Sequence, residues 1–291
     1  MTDMTTQGVA GIVAESFNFG IVKLPLSGPD NLKTPLYGLF RDDTMELVND
    51  SSVSKRYIPH QSDDVVALVD AASAAFDSDV RVRCHFNKGH YVTVSPSDEY
   101  RKTVHGTVDN VFPRLIIRAG YDGRAFKATI GLYRDMCLNL MMLDTVKKTS
   151  VSIRHSNDLP NHMDDLIKTF ESLKNSWSNV EQAIDIMQSN RVNMVEFLNQ
   201  IYGEPGDSKR AVTMHKNRTE AIFKRLQREC AACQMPLTNN FEVSGWLAYN
   251  AVQGYVQHDA RRKSGTAAFD RVLLANASPE VKMAEKLALA V

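Results

Sequence analysis

The sequence predicts an α+β protein: an antiparallel β-hairpin sheet with a packed helix, followed by a helical C-terminal half. Apolar and polar residues alternate with a period of two through much of 80–133. After about Asn157 the spacing of the apolar residues changes to a period of 3.6, and turn residues interrupt both patterns. We expect an extended N-terminal arm over 1–35, the sheet and helix over 36–157, and a helical region over 158–291.

The arm is rich in Thr, Gly, Ser and Pro, and within it Ile21–Leu26 is apolar enough to add a strand. Strands are expected next at Leu36–Phe40 and Met45–Tyr57, joined by a turn at 42–44. Ser62 is expected to cap a helix that ends near Phe76. The buried face of that helix is predicted to carry Val65, Leu68, Val69 and Ala72.

The segment Val80–Ser95 predicts a β-hairpin, because apolar residues recur at every second position from Val82. A three-residue loop over 87–89, with Gly89 in the left-handed conformation, places His85 opposite Tyr91 and Arg83 opposite Thr93. A two-residue loop would mix the apolar and polar faces, so the pattern selects this register.

A second hairpin is predicted over 111–133, with Asp122–Gly123 as a type I′ turn that places Arg118 opposite Lys127. Two cations that face each other destabilise a sheet unless an anion lies between them. We therefore expect Arg118→Ser to weaken binding of a polyanion without lowering the melting temperature. The face that carries this pair also holds Arg114, Ile116, Thr129 and Tyr133.

Residues 81–134 carry ten Lys/Arg and four Asp/Glu, a net charge of +6, although the whole chain has 34 of each sign. Charged alternation in a strand is commonly a solvated outer face, and that interpretation stays open. The alternative is a nucleic-acid platform in which cations bind phosphates and tyrosines stack on bases. Its candidate residues are Arg81, Arg83, Lys88, Tyr91, Arg101, Lys102, Arg114, Arg118, Lys127 and Tyr133.

Five helices are predicted after residue 157 from the apolar spacing. The one that begins at Lys209 carries seven cations and two acids, and a further basic cluster follows at 261–263. Either could form a second wall of a nucleic-acid groove or serve only solubility. The predicted helices are Asn161–Trp177, Asn179–Ile201, Lys209–Cys233, Phe241–Ala260 and Pro279–Leu289.

The sequence lacks a phosphate-binding Lys-Ser/Thr loop, a dinucleotide fingerprint and a nucleophile elbow, so we predict neither an enzyme nor a cofactor. Cys230 and Cys233 have the spacing of half a zinc site, but no second ligand pair follows, so no metal is expected. No apolar run is long enough for a membrane span, and Met1–Gln7 lacks signal-peptide features. We expect a cytoplasmic protein that does not bind a membrane.

Six stretches carry a resemblance when they are taken together: Tyr37–Asp43, Tyr121–Arg124, Met136–Asn139, Ile153–His155, Trp246–His258 and Ala284–Ala290. They resemble an uncharacterised phage- and plasmid-borne protein family. The resemblance implies a mobile-element protein that works inside a bacterial host, and it supplies no catalytic residue.

The order of a basic antiparallel sheet and then helices is similar to that of phage single-strand annealing proteins. This resemblance implies a homo-oligomer, as a ring or helical assembly, that binds single-stranded DNA and anneals it in recombination without ATP. A phage exonuclease or a host protein would be a further partner. The alternative is a phage-encoded interaction factor that inhibits a host defence protein, and an enzyme such as a nuclease comes third.

Overall fold

The structure is a computed structural model that describes residues 11–12, 14–15, 17–75, 81–86, 89–95, 100–121, 125–134, 137–141, 143, 150–153, 165, 168, 170, 172, 175–238, 240–260 and 277–290. The chain forms two compact units that interleave along the sequence. The first unit comprises residues 1–100, 113–130 and 148–175, and the second comprises 101–112, 131–147 and 176–291. The division expected from the sequence, into an arm over 1–35, a sheet and helix over 36–157 and a helical region over 158–291, stays a prediction.

The units interleave because two long strands contribute residues to both. These strands are β6 (Asn110–Gly120) and β7 (Phe126–Arg134), and they are neighbours in one sheet. The end of β6 and the start of β7 belong to the first unit, while the start of β6 and the end of β7 belong to the second.

The first unit begins with an antiparallel ribbon of β1 (Ile21–Ser27) and β2 (Lys33–Arg41). Ile21 and Leu39 face a buried cluster that also includes Tyr57 and Tyr121. The strand expected at Met45–Tyr57 is wrong, since the described structure has only isolated bridges from Leu47 and Val53 to β2. Asn, Asp and Ser dominate residues 49–54, and these residues favour turns over a regular ladder.

Helix α1 (Ser62–Ala75) follows the ribbon and buries the four residues predicted for its inner face. The N-cap lies one residue earlier than expected, because the backbone N–H of Gln61 donates to Asp64 Oδ2 at 2.7 Å. The apolar face of α1 packs on strands β3 (Arg81–Phe86), β4 (Gly89–Ser95), β6 and β7. Strand β9 (Ser150–Ile153) pairs with β7 along Phe126–Thr129.

In the second unit, β5 (Lys102–Thr103) pairs with the start of β6, and β8 (Cys137–Met141) pairs with the end of β7. Helix α5 (Gly245–Gly254) is buried along its whole length. A Cβ on Gly245 would lie 2.8 Å from the Ala288 carbonyl oxygen, so glycine permits this close packing. The other elements are α2 (Trp177–Ser189), β10 (Arg191–Asn193), α3 (Met194–Tyr202), α4 (Lys209–Ala232), β11 (Glu242–Ser244), a π-helical turn (Tyr255–Asp259) and α6 (Pro279–Leu289).

The α+β class is confirmed, with antiparallel sheets and helices in the C-terminal half. The single helix expected over Asn179–Ile201 is wrong, since β10 separates α2 from α3. Asn193 starts α3, because its Oδ1 accepts from the backbone N–H groups of Val195 and Glu196. Most of the helix expected at 161–177 lies outside the described residues. None of the helices in the described ranges combines the length and the apolar character that crossing a membrane requires.

Candidate nucleic-acid interface

The β3–β4 hairpin has the predicted register, with Arg83 opposite Thr93 and His85 opposite Tyr91. Arg83 is exposed on the side away from α1. The side chains of Arg81 and Tyr91, and the whole of Lys88, lie outside the described residues.

The left-handed turn expected at Gly89 is wrong, because Gly89 lies in β4 opposite Gly120 with φ of 157°. A Cβ there would come within 2.7 Å of the Gly120 Cα. Glycine is therefore needed at this position for the close approach of two strands.

The open platform expected across β6 does not form, because Arg118 is only 8% exposed and Ile116 only 1%. Arg118 is opposite Tyr91, Lys127 is half-buried, and Thr129 is buried. The sequence accounts for this burial, because residues 115–117 are three consecutive apolar residues. A strand that is buried on both faces has no polar residue at every second position. The turn over 122–124 lies outside the described residues, and a phosphate contact at Arg118 or Lys127 stays a prediction.

Two other predicted cations are held by neighbouring side chains. Arg114 Nε donates to Ser95 Oγ at 2.9 Å, and the arginine is half-buried. Lys102 Nζ lies 2.9 Å from Asp185 Oδ2, which gives this lysine an ion-pair partner within the second unit. A phosphate would have to compete with these contacts, so both residues are weaker anion ligands than an unengaged side chain would be.

Two of the predicted residues, Arg101 and Tyr133, meet around Phe112, which sequence reasoning missed. The Arg101 guanidinium carbon lies 5.5 Å from the centre of the Phe112 ring, and Phe112 stacks on Tyr133 with centroids 5.9 Å apart and planes 19° apart. Arg101 is exposed and both rings are half-buried. This arginine–aromatic stack combines a cation for phosphate with ring surface that a base could cover.

A second basic surface of the described residues lies on α4. Seven Lys/Arg and two Glu occur in its 24 residues, and one of those acids, Glu229, is buried. Arg225 pairs with Asp259 at 2.7 Å, and the Arg218 guanidinium carbon lies 4.5 Å from the centre of the Tyr202 ring. The remaining cations are exposed; they are Lys209, Arg210, Lys216, Lys224 and Arg228.

A family model described as a domain of unknown function, DUF932, matches residues 50–277. The chain belongs to the DUF932 family. No curated protein and no solved structure matches it. The match includes the arginine–aromatic stack and α4, whereas the ribbon of β1 and β2 precedes it.

The second unit of this DUF932 protein also contains a buried charge cluster centred on Arg134, whose side chain is fully buried. The guanidinium pairs with Asp109 Oδ2 and Glu229 Oε2, both at 2.7 Å, and donates to Asn250 Oδ1 at 2.8 Å. The Trp246 indole N–H donates to the same Asp109 oxygen at 3.0 Å.

The cluster is suited to holding the unit together and not to nucleophilic chemistry. Burial raises the pKa of the nearby Cys233 thiol to about 12, even though Arg134 opposes that change. A thiol with so high a pKa is almost wholly protonated at neutral pH and is a poor nucleophile. Within the described part of the chain, no group of three His, Cys, Asp or Glu side chains could hold a metal ion.

Proposed function

We propose that this DUF932 protein binds single-stranded DNA and promotes annealing of complementary strands during phage or plasmid recombination. The protein acts without ATP or a metal, as a homo-oligomer in the cytoplasm of a bacterial host. Its binding is electrostatic, with lysine and arginine on phosphates, and sequence-tolerant, with aromatic rings on bases.

The observation that carries the proposal is the arginine–aromatic stack of Arg101, Phe112 and Tyr133. A solvated sheet face needs no aromatic surface beside its arginines, whereas a single strand uses both phosphate contacts and stacking. The exposed Arg83 and the basic face of α4 add positive surface of the same kind. The same stack also has a structural role, because a cation–π contact stabilises the fold by about 0.5–1 kcal/mol at an exposed site.

The test is fluorescence anisotropy with a labelled thymidine oligonucleotide and a duplex of equal length, at several salt concentrations. Tyr133→Ala should weaken single-strand binding about 5- to 150-fold, the range for loss of one stacked base, while Tyr133→Phe retains the ring and the affinity. Arg101→Gln should reduce the salt slope by about 0.7, the value for one phosphate contact on a single strand. Arg56→Gln, an exposed arginine of the first unit, is the matched control.

Annealing is measured separately, from energy transfer between two complementary dye-labelled strands mixed with protein and EDTA in the absence of ATP. The expected result is faster duplex formation than for the strands alone. Absence of single-strand binding at low salt would contradict the proposal, and so would affinity that does not change with salt.

The homo-oligomer is supported by one face of the β1–β2 ribbon, which is mostly apolar and carries no charged residue. Val22 pairs with Phe40, Leu24 pairs with Gly38, and Leu47 bridges to Phe40. Leu24, Leu36 and Leu47 are 37%, 45% and 47% exposed. An exposed apolar face without charge complements a second copy of itself, and a contact made by a two-stranded ribbon alone should be weak and concentration-dependent.

Light scattering across a range of protein concentrations tests this contact. Leu36→Lys should reduce the average mass, whereas Leu32→Lys, at a 69% exposed leucine in the turn between the strands, should leave it unchanged. A monomer at every concentration, with and without oligonucleotide, would contradict the oligomer.

A further inference from the structure

Helix α4 carries a line of side chains at seven-residue spacing: Lys209, Lys216 and Phe223. Seven residues fall about 20° short of two helical turns and advance about 10.5 Å along the axis. The three side chains therefore lie along one side of the helix. Both lysines are exposed, and Phe223 is half-buried.

The line ends at a second aromatic ring, that of Phe241. Its ring meets Phe223 edge to face, with centroids 5.2 Å apart and planes 66° apart. Phe241 is 39% exposed, so part of its ring surface faces solvent. The two phenylalanines thus present ring surface at the end of the line of lysines.

The backbone of Phe241 is strained, with a φ of 57°. A bulky residue in the left-handed region is an outlier that costs on the order of 1 kcal/mol or more, and glycine or asparagine would avoid that cost. Hydrogen bonds fix the residue there, since its N–H donates to the Thr238 carbonyl and its own carbonyl accepts from Met194 N–H at 3.0 Å. These backbone hydrogen bonds offset the strain and keep Phe241 at this position beside Phe223.

Two exposed lysines and one exposed acid lie on this side of α4, and the exposed Glu242 follows Phe241 in the chain. Lys216 has an acidic neighbour, Glu220, but the two charges are 3.9 Å apart and exposed, so their attraction is small. The adjoining side of α4 is closed to a ligand, because Ile222 and Leu226, next to Phe223 on the helix surface, are fully buried. A membrane surface would require a wide exposed apolar face on the helix, and α4 does not have one.

We propose that the line from Lys209 to Phe241 is a binding track for single-stranded nucleic acid, with phosphates on Lys209 and Lys216 and one base stacked on Phe241. An acidic peptide would use the lysines but would have no need of an exposed ring held in a strained conformation. The inference takes its ligand, single-stranded nucleic acid, from the proposed function. Its residues are different from those of the arginine–aromatic stack.

The experiment measures anisotropy of the labelled thymidine oligonucleotide and of the duplex with wild-type protein, Phe241→Gly, Phe241→Ala and Lys216→Gln. Both Phe241 variants should lose about 5- to 150-fold in single-strand affinity, with little change for the duplex and an unchanged salt slope. Phe241→Gly relieves the strain but also removes the ring contact with Phe223, so the melting temperature of each variant is measured beside its affinity to separate a loss of binding from a loss of folding. Lys216→Gln should instead lower the salt slope by about 0.7.

Met214→Ala is the matched control, since Met214 is a 52% exposed apolar residue on the same helix outside the line. Wild-type affinity in both Phe241 variants would overturn the inference and leave the proposed function standing. An equal loss for single strand and duplex would also overturn it, because stacking is selective for unpaired bases. Failure of the wild-type protein to bind any oligonucleotide would refute the proposed function, and the track with it.

Discussion

Replacing Arg134 with methionine should destabilise the second unit strongly. The change removes the charge that is shared by two carboxylates, Asp109 and Glu229, and leaves both buried without a cationic partner. Breaking a buried ion pair by removing one partner costs about 3–5 kcal/mol. For a unit of about 150 residues this corresponds to a melting temperature lower by roughly 6–20 °C.

The assay is urea unfolding followed by tryptophan fluorescence. The chain has two tryptophans, Trp177 and Trp246, and both belong to the second unit, so the signal reports on that unit alone. Arg191→Met is the matched control, because Arg191 is an exposed arginine of the same unit. A free energy of unfolding for Arg134→Met within about 1 kcal/mol of wild type would refute the role given to this arginine, since it would leave no room for the penalty of two unpaired buried carboxylates.

Two further predictions concern single side chains. Arg118→Ser should lower the melting temperature, because it removes a large side chain from an 8% exposed site and leaves a cavity. Weaker DNA binding at an unchanged melting temperature would instead support the phosphate contact that the sequence predicts. The hydrogen bonds from Arg225 lower the pKa of Asp259, so the pair contributes stability above about pH 4, the pKa of an unfolded aspartate, and loses it as the pH falls further. Wild type should therefore exceed Asp259→Asn in stability by about 0.5 kcal/mol at neutral pH and by less at pH 3, and a constant difference in denaturant titrations at the two pH values would contradict this assignment.

Local patterns in the sequence were sufficient to predict the hairpin register and the buried face of α1. Alternation with a period of two fixes which residues of β3 and β4 face each other, because a slip by one residue would turn every side chain to the other face. Asn193 and Glu196 have the spacing of a helix start, a signal that would have predicted the break between α2 and α3.

The buried charge cluster could not be predicted in the same way. Arg134 is 25 residues from Asp109 and 95 from Glu229, and a charged residue at such a position is usually exposed. Only tertiary packing brings these three residues together, and no local spacing in the sequence predicts their contact. Two of the three residues of the arginine–aromatic stack, Arg101 and Tyr133, were predicted because they lie in a basic segment. Phe112 was not predicted, because its position in the sequence is typical of an apolar strand residue.

The buried cluster also has a consequence for how the chain is made. Asp109 and Arg134 are 25 residues apart, so they emerge from a ribosome almost together and can pair early. Glu229 follows 95 residues after Arg134, and Asn250 follows 116 residues after it. At about 5–20 residues per second, the nascent chain carries this arginine for roughly 5–20 s before its second carboxylate exists. During that interval water must solvate a side chain that the finished protein excludes from water entirely.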